Sequence, residues 1–194
     1  MKITLKKIIY LIAFLSFAIG AKAQNSAVPD TTRVSVGLDG GVPNGTFNDS
    51  YAYNIGASAQ IDVPITEKLY FTGNIGFNLF SPNTNIGENP QAIQGVKVAN
   101  MEILPAKVGL KYFLIRTFYL QAEGGESLLL NKSAVYGLNS TGLTYAGQMG
   151  ILFKMPNRRY IDVGFRYEGV QSFYGDGHYN NFIAARVAYA FNLK

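Results

Sequence analysis

Cysteine is absent from this chain of 194 residues, and histidine occurs once. Without cysteine there is no disulfide, and there is no residue to carry the lipid of a lipoprotein anchor. Beyond the first two dozen residues, no stretch approaches the ~18 uninterrupted apolar residues that predict a transmembrane helix. These absences exclude a disulfide-built fold and a helical membrane domain. They also leave little material for histidine-based catalysis or metal binding.

The N-terminus has the layout of a secretory signal peptide. Lysines near the start precede an apolar run from Ile8 to Ile19, and Ala21-Lys22-Ala23 supplies small residues where cleavage would occur. The apolar run is about a dozen residues, and a spanning helix needs ~20, which disfavours the alternative of an uncleaved anchor. We therefore predict a signal peptide at 1–23, a periplasmic lead-in at 24–32 and a folded domain at 33–194.

The positive charge of the chain belongs largely to this leader. Four of the 17 lysines and arginines lie in residues 1–23, which leaves 13 basic against 12 acidic side chains in the remainder. The folded domain is therefore close to neutral. A basic isoelectric point is no evidence for nucleic acid as a partner here.

The last segment of the chain alternates between two faces. One face carries Ile183, Ala185, Val187, Tyr189, Phe191 and Leu193, whereas Arg186 lies among alanines on the other. A period of two predicts a β-strand. Because the apolar face stays apolar to the end, we expect it to contact lipid, with Arg186 pointing into a barrel.

Seven further alternating segments precede it, joined by connections that are alternately long and short. Segments of about ten residues, short turns at one end and long polar loops at the other are typical of outer-membrane barrels. The sequence therefore predicts an all-β fold, an eight-stranded antiparallel up-and-down transmembrane β-barrel. The second segment keeps one phase from Tyr51 to Val63. The phase of the fourth slips between Glu102 and Lys107, which predicts a β-bulge at Pro105.

Charged side chains share the phase assigned to the lumen. They are Asp39, Asp62, Glu102, Lys107, Lys111, Glu123, Lys154, Asp162, Arg166, Glu168 and Arg186. An eight-stranded barrel is just wide enough for side chains to fill, and charges of opposite sign can pair there. We therefore predict a filled, charged lumen without an open pore.

Aromatic residues cluster near both ends of the segments, as two belts at the bilayer interfaces would require. Toward the loop end lie Tyr51, Tyr53, Phe77, Tyr145 and Tyr167; toward the turn end lie Phe71, Phe118, Phe153, Tyr189 and Phe191. The alternative is a soluble barrel such as a lipocalin, with these aromatics in its core. The charges on the opposite face and the signal peptide disfavour it.

Two stretches resemble a known family. Glu102-Ile-Leu-Pro-Ala-Lys-Val-Gly-Leu-Lys-Tyr112 and, after a short turn, Phe118-Tyr-Leu-Gln-Ala-Glu-Gly-Gly125 resemble the outer membrane protein beta-barrel domain family of small porin-like proteins. Asp162–Tyr167 and Ala188–Phe191 are similar too, so the resemblance covers most of 33–194. It implies the barrel architecture and the outer membrane of a Gram-negative-type bacterium. It carries no catalytic residues and no cofactor.

Several functions remain open. The leading hypothesis is a non-enzymatic barrel with a structural or surface-display role, in envelope integrity, adhesion or partner docking through loops 81–95 and 131–140. Its partners would be outer-membrane lipid and, during biogenesis, the barrel-assembly machinery. A carrier of small apolar molecules would need an apolar upper lumen, against which Asn78, Glu102, Gln148 and Glu168 argue. A lipid-modifying enzyme would need a pair such as Ser172 and His178, although His178 is expected to be a solvated loop residue.

Overall fold

Eight strands form one closed sheet in the computed structural model, which describes residues 31–83, 99–175 and 177–193. The strands are β1 Arg33–Asn44, β2 Tyr51–Pro64, β3 Leu69–Pro82, β4 Met101–Phe113, β5 Phe118–Leu129, β6 Thr141–Met155, β7 Arg159–Gln171 and β8 Tyr179–Asn192. Each strand pairs antiparallel with the next in the chain, and β8 returns to pair with β1. The predicted eight-stranded up-and-down barrel is confirmed. The predicted signal peptide, nearly all of the lead-in and most of loop 81–95 lie outside the described residues.

The connections alternate in length as predicted. Residues 65–68, 114–117 and 156–158 make short turns at one end, the last of them a 3-10 turn, Pro156–Arg158. In the first of these turns, the Thr66 hydroxyl accepts the Leu69 N–H at 3.1 Å. At the other end, one loop contains a short helix, α1, Phe47–Ser50. No helix among the described residues has the length and apolar character needed to cross a bilayer.

Burial in this barrel is inside out compared with a soluble protein. Leu38 is 71% exposed and Phe165 63%, whereas Arg186 and Glu168 are 0% exposed. Apolar and charged side chains alternate along each strand because successive residues point to opposite faces of a sheet. The outward surface is therefore an apolar band, as in a transmembrane barrel, and the charges face the lumen.

The predicted β-bulge at Pro105 is wrong. Ile75 pairs with Ala106 and Asn78 with Ile103, so the register between β3 and β4 is the same on both sides of the proline. Met101 and Ile103 point into the barrel, in phase with Lys107. The apparent phase slip arose because this end of the lumen is apolar. In the sequence, its apolar side chains therefore resemble a lipid-facing row.

Glu102 consequently leaves the predicted lumen set. It lies on the outward phase of β4 and is half-buried, and its N–H donates to the Asn131 Oδ1 at 3.0 Å. Lys154, near the turn end of β6, is exposed. The remaining predicted lumen charges are Asp39, Asp62, Lys107, Lys111, Glu123, Asp162, Arg166, Glu168 and Arg186, and all of them are buried.

A register shift occurs instead at the start of β2, between Tyr51 and Tyr53. It turns the Tyr51 side chain into the barrel, where it is 2% exposed and its ring lies 5.0 Å from that of Phe47. Tyr51 is therefore not part of the outer aromatic belt, and the unbroken phase predicted for β2 is wrong. Every other predicted belt residue lies on the outward phase of its strand: Tyr53, Phe71, Phe77, Phe118, Tyr145, Phe153, Tyr167, Tyr189 and Phe191.

Candidate functional site: a sealed lumen with a loop-built mouth

The middle of the lumen is crossed by ion pairs between strands that are not neighbours. Lys107 on β4 bonds Glu168 on β7. The Lys111 Nζ, also on β4, donates to Asp62 Oδ2 on β2 at 2.8 Å and lies 3.7 Å from Asp162 Oδ2 on β7. Because these contacts span the barrel, they occupy the space that a pore would need. We call the buried charged residues of the lumen the ionic layer. They are Arg33, Asp39, Asp62, Lys107, Lys111, Glu123, Asp162, Arg166, Glu168 and Arg186.

Asp39 receives two guanidinium groups within the ionic layer. The Arg166 Nη1 lies 3.7 Å and the Arg186 Nε 3.9 Å from the same Asp39 oxygen. The Ser58 hydroxyl donates to the other Asp39 oxygen at 2.8 Å, and the Arg166 Nε donates to Gln148 at 3.0 Å. Neutral polar side chains thus supply part of the coordination of these charges, whereas the buried Arg186 nitrogens have no hydrogen-bond partner among the described residues.

Arg33 was not among the predicted lumen charges, but it belongs to the ionic layer. Its Nη1 lies 3.9 Å from Asp62, and its side chain is 5% exposed. With Arg33 included, the buried lumen charges balance: Asp39, Asp62, Glu123, Asp162 and Glu168 against Arg33, Lys107, Lys111, Arg166 and Arg186. An equal number of each sign leaves the buried lumen charges of the described residues without a net excess.

Below the ionic layer, toward the turns, the lumen is filled by aromatic rings. Tyr70 and Phe113 lie 5.4 Å apart, and Tyr119 packs against Phe113 at 5.6 Å. The Arg33 guanidinium lies over the Tyr160 ring at 4.7 Å, a cation–π contact. The Tyr119 hydroxyl donates to Asp162 at 2.6 Å and so joins this aromatic floor to the ions above it.

Above the ionic layer, toward the loops, the lumen is apolar. We call this cluster the mouth. Its buried members are Phe47, Tyr51, Phe80, Met101, Ile103, Leu129, Val135, Val170, Phe173, Phe182 and Ala184. Three of these side chains come from three different loops: Phe47 from the loop with α1, Val135 from loop 131–140 and Phe173 from the loop between β7 and β8. These three loops therefore fold inward and help to close the barrel.

The expectation of a polar upper lumen is wrong. Glu168 belongs to the ionic layer, and Gln148 accepts a hydrogen bond from Arg166 at the same level. Glu102 points outward, and the Asn78 Oδ1 accepts a weak bond from Asn54 at 3.5 Å. The void among the mouth side chains is only about 10 Å³, about the space of a single water molecule. The mouth is apolar, as a carrier of apolar molecules would need, but it is packed shut. Apolar residues on the lumen phase near the loop ends of strands, such as Phe80, Leu129 and Phe182, were the sequence signal for it.

Ser172 and His178 face each other across the last external loop. The Ser172 N–H donates to the His178 carbonyl at 2.8 Å, and the Ser172 hydroxyl accepts the Tyr174 N–H at 3.3 Å. Ser172 is buried whereas His178 is exposed. The Ser172 hydroxyl is thus engaged in a hydrogen bond within the loop. Across the described ranges there is no cluster of three or more potential metal ligands.

Solved structures with the same architecture come from outer-membrane proteins. Neisserial surface protein A matches with a TM-score of 0.58 at 10% identity, over 84% of this chain and 97% of that chain. The Yersinia pestis outer membrane protein Ail, in a phospholipid bilayer nanodisc, matches with a TM-score of 0.52 at 14% identity, over 83% and 99%. The outer membrane protein AlkL, in DMPC lipid bilayers, matches with a TM-score of 0.50 at 15% identity, over 88% and 95%.

This chain has the fold of a small outer-membrane β-barrel. Neither a family model nor a curated protein matches its sequence. At 10% to 15% identity the structural matches establish the fold, and at that level they confirm the resemblance to outer-membrane barrels. Bacterial outer membranes are where this inside-out barrel occurs, and the apolar outward band of this one agrees with that location.

Proposed function

We propose that this protein is a non-enzymatic integral barrel of the outer membrane of a Gram-negative-type bacterium, with a structural and surface-display role. The observation that carries the proposal is the sealed lumen. Its ionic layer spans the barrel, and packed side chains fill both ends. With the interior closed, contact with lipid and contact through the external loops are what such a protein offers.

Two external loops, loop 131–140 and the loop between β7 and β8, are hydrogen-bonded to each other and form one surface, which we call the loop platform. The N–H groups of Leu138 and Asn139 both donate to the Phe173 carbonyl at 2.8 Å, and Val135 and Phe173 anchor the two loops in the mouth. On this platform Tyr136 is 82% exposed and Leu138 70%. Exposed apolar side chains on an ordered loop are typical of interaction sites. We therefore favour partner docking or adhesion through loop 131–140, together with loop 81–95.

Topology provides the first test. An epitope inserted in loop 131–140 should be cleaved by protease added to intact cells, whereas one in the turn Pro156–Arg158 should be protected. Purified protein in a planar bilayer should show no large, stable conductance. A protected loop epitope would contradict the outer-membrane orientation, and a steady conductance would contradict the sealed lumen.

The apolar mouth favours a second candidate, a carrier of small apolar molecules. It would act only if the loop-borne side chains Phe47 and Phe173 withdrew and opened the packed cluster. Cells that express Phe173→Ala should then take up a labelled alkane faster than wild-type cells. The lipid-modifying alternative predicts that His178→Ala abolishes a change in envelope lipids caused by the wild-type protein. Equal uptake and unchanged lipids would leave the display role.

The partners that we propose follow from this placement. Outer-membrane lipid contacts the apolar band, and the barrel-assembly machinery inserts the chain during biogenesis. A surface partner would bind the external loops, and nothing in the charge balance favours nucleic acid.

A further inference from the structure

A groove of about 420 Å³ runs along the outward surface of β5 to β8. Outward-facing members of its lining are Leu120, Gly147, Met149, Phe165, Tyr167 and Ile183. The groove exists because Gly147 interrupts the outward row of large side chains on β6. A Cβ placed there would meet nothing within 4 Å. Its volume lies in the ~300–1,000 Å³ range of small-molecule sites.

Neighbouring small residues extend this open strip. Ala122, on β5, pairs with Gly147 and also points outward, and a Cβ on the outward-facing Gly124 would find its nearest atom only at 4.0 Å. The Tyr145 ring leans the other way, over Gly169, where a Cβ would lie 2.4 Å from the ring. The strip of Ala122, Gly124 and Gly147 is therefore open, beside a ridge of aromatic side chains.

Polar side chains lie next to the groove, further toward the loops on the same outward face. The Tyr145 hydroxyl donates to the Asn181 Oδ1 at 3.0 Å, and the Tyr145 ring lies 5.4 Å from that of Tyr179. These side chains lie toward the loops because β6 enters the barrel wall from the external side, at Thr141. Tyrosine at this level sits where lipid headgroups and ester groups meet the hydrocarbon. An apolar groove with polar side chains beside its external end has the shape of a lipid.

We propose that this Gly147 groove holds one acyl chain of an outer-leaflet lipid, with Tyr145 and Asn181 beside its ester and headgroup region. The proposal rests on the membrane placement proposed above. A second barrel is a poorer occupant, because its convex wall would meet the protruding Phe165 and Tyr167, which are 63% and 41% exposed. The groove is also continuous with the lipid-facing band. Since lipid tails are as apolar as the wall, selection of this position comes from close packing.

A matched pair of variants tests the proposal. Gly147→Leu fills the groove, and Gly40→Leu adds the same side chain at an outward glycine of β1 that also has nothing within 4 Å of a Cβ. Each full-length mature chain is reconstituted in dimyristoylphosphatidylcholine vesicles, extracted in mild detergent and examined by native mass spectrometry. Wild type and Gly40→Leu should retain one lipid per barrel. Gly147→Leu should lower the retained fraction by roughly tenfold, because its side chain displaces on the order of ten atom contacts.

A second measurement uses only the wild-type sequence. With labelled methionine methyls in a bilayer nanodisc, magnetisation transfer from the lipid chains should be stronger at Met149, in the groove, than at Met155, at the turn end. Met101 is 1% exposed inside the barrel and should show none.

Distinct results would overturn the proposal. One is equal lipid retention by Gly147→Leu and wild type, or an equal loss in Gly40→Leu. Another is a wild-type dimer that Gly147→Leu dissociates, which would make the groove a protein interface. Transfer at Met149 no stronger than at Met155 also contradicts it. A wild-type chain that fails to insert into vesicles would instead refute the membrane placement itself.

Discussion

The mouth and the ionic layer fill the same cylinder by opposite means. The ionic layer is built from strand residues whose charges pair across the barrel, whereas the mouth is closed partly by apolar side chains from three loops. Opening the ionic layer would leave buried charges without partners. Displacing a loop-borne phenylalanine exposes apolar surface and strands no charge. If any part of the lumen moves, we therefore expect it to be the mouth.

The largest loss of stability should come from breaking one ion pair that crosses the lumen. Lys107→Met leaves the carboxylate of Glu168, which is 0% exposed, without its closest cation. We expect a loss of about 3–5 kcal/mol in the free energy of unfolding, measured by urea titration in lipid vesicles. The double variant Lys107→Met/Glu168→Leu should recover most of that loss, because it removes both charges. A single variant as stable as wild type would show that the ion pair does not hold the layer.

Truncating a buried side chain of the mouth should lower the free energy of unfolding by somewhat less. Phe80→Ala removes a ring that is 1% exposed and packs 5.1 Å from Phe182, so we expect a loss of about 3 kcal/mol in the same titration. Phe77→Ala on the same strand is the control. Phe77 points outward and is 39% exposed, and its loss should be well below that of Phe80. Equal losses would contradict the inward position of Phe80.

Tyr119→Phe should cause a smaller loss in the free energy of unfolding. The variant keeps the ring of the aromatic floor but removes the hydroxyl that donates to Asp162 at 2.6 Å. We expect a loss of about 1.5–3 kcal/mol, because a buried carboxylate loses a donor. Tyr189→Phe, on the exposed outer surface, should change stability by less than about 0.5 kcal/mol. A Tyr119→Phe variant as stable as Tyr189→Phe would mean that floor and ionic layer are not coupled.

The smallest effect tests which glutamate belongs to the lumen. Glu102→Gln should change the free energy of unfolding by less than about 0.5 kcal/mol, because Glu102 points outward near the loops. Glu123→Gln should cost more, since Glu123 is buried and accepts a bond from the Thr72 hydroxyl at 3.4 Å. The reverse order would instead support the predicted lumen position of Glu102.

The barrel could be predicted from the sequence because a period of two survives in each strand. The ionic layer followed from the same period, since Lys107, Asp162 and Arg186 occupy the phase opposite to the lipid-facing residues. The alternation of side chains along a strand gives the face on which a residue lies. It does not give the residue on another strand with which that residue forms an ion pair. The pairing of Lys107 with Glu168, between strands on opposite sides of the lumen, could not be derived in this way.

The mouth was missed for a physical reason. The rule that apolar residues point outward holds only where the lumen is polar, and at the loop end both faces are apolar. The alternation alone therefore places Met101 and Ile103 on the outer face, and it requires a bulge at Pro105 to bring Lys107 into the lumen. Phe47, Val135 and Phe173 lie in loops that have no alternation to read, so only the folded chain brings them together.

The ion pairs of the lumen also bear on how the barrel assembles. Lys107 and Glu168 are separated by 61 residues, and Lys111 and Asp62 by 49. Neither of these two contacts lies within a hairpin, unlike the Arg33–Asp62 pair across β1 and β2, so each can form only after distant strands have curved toward one another. We expect the charges to stay hydrated until β8 reaches β1, which makes expulsion of water from the interior the final event of insertion. Protection of the lumen from a water-soluble quencher before the two end strands meet would refute that order.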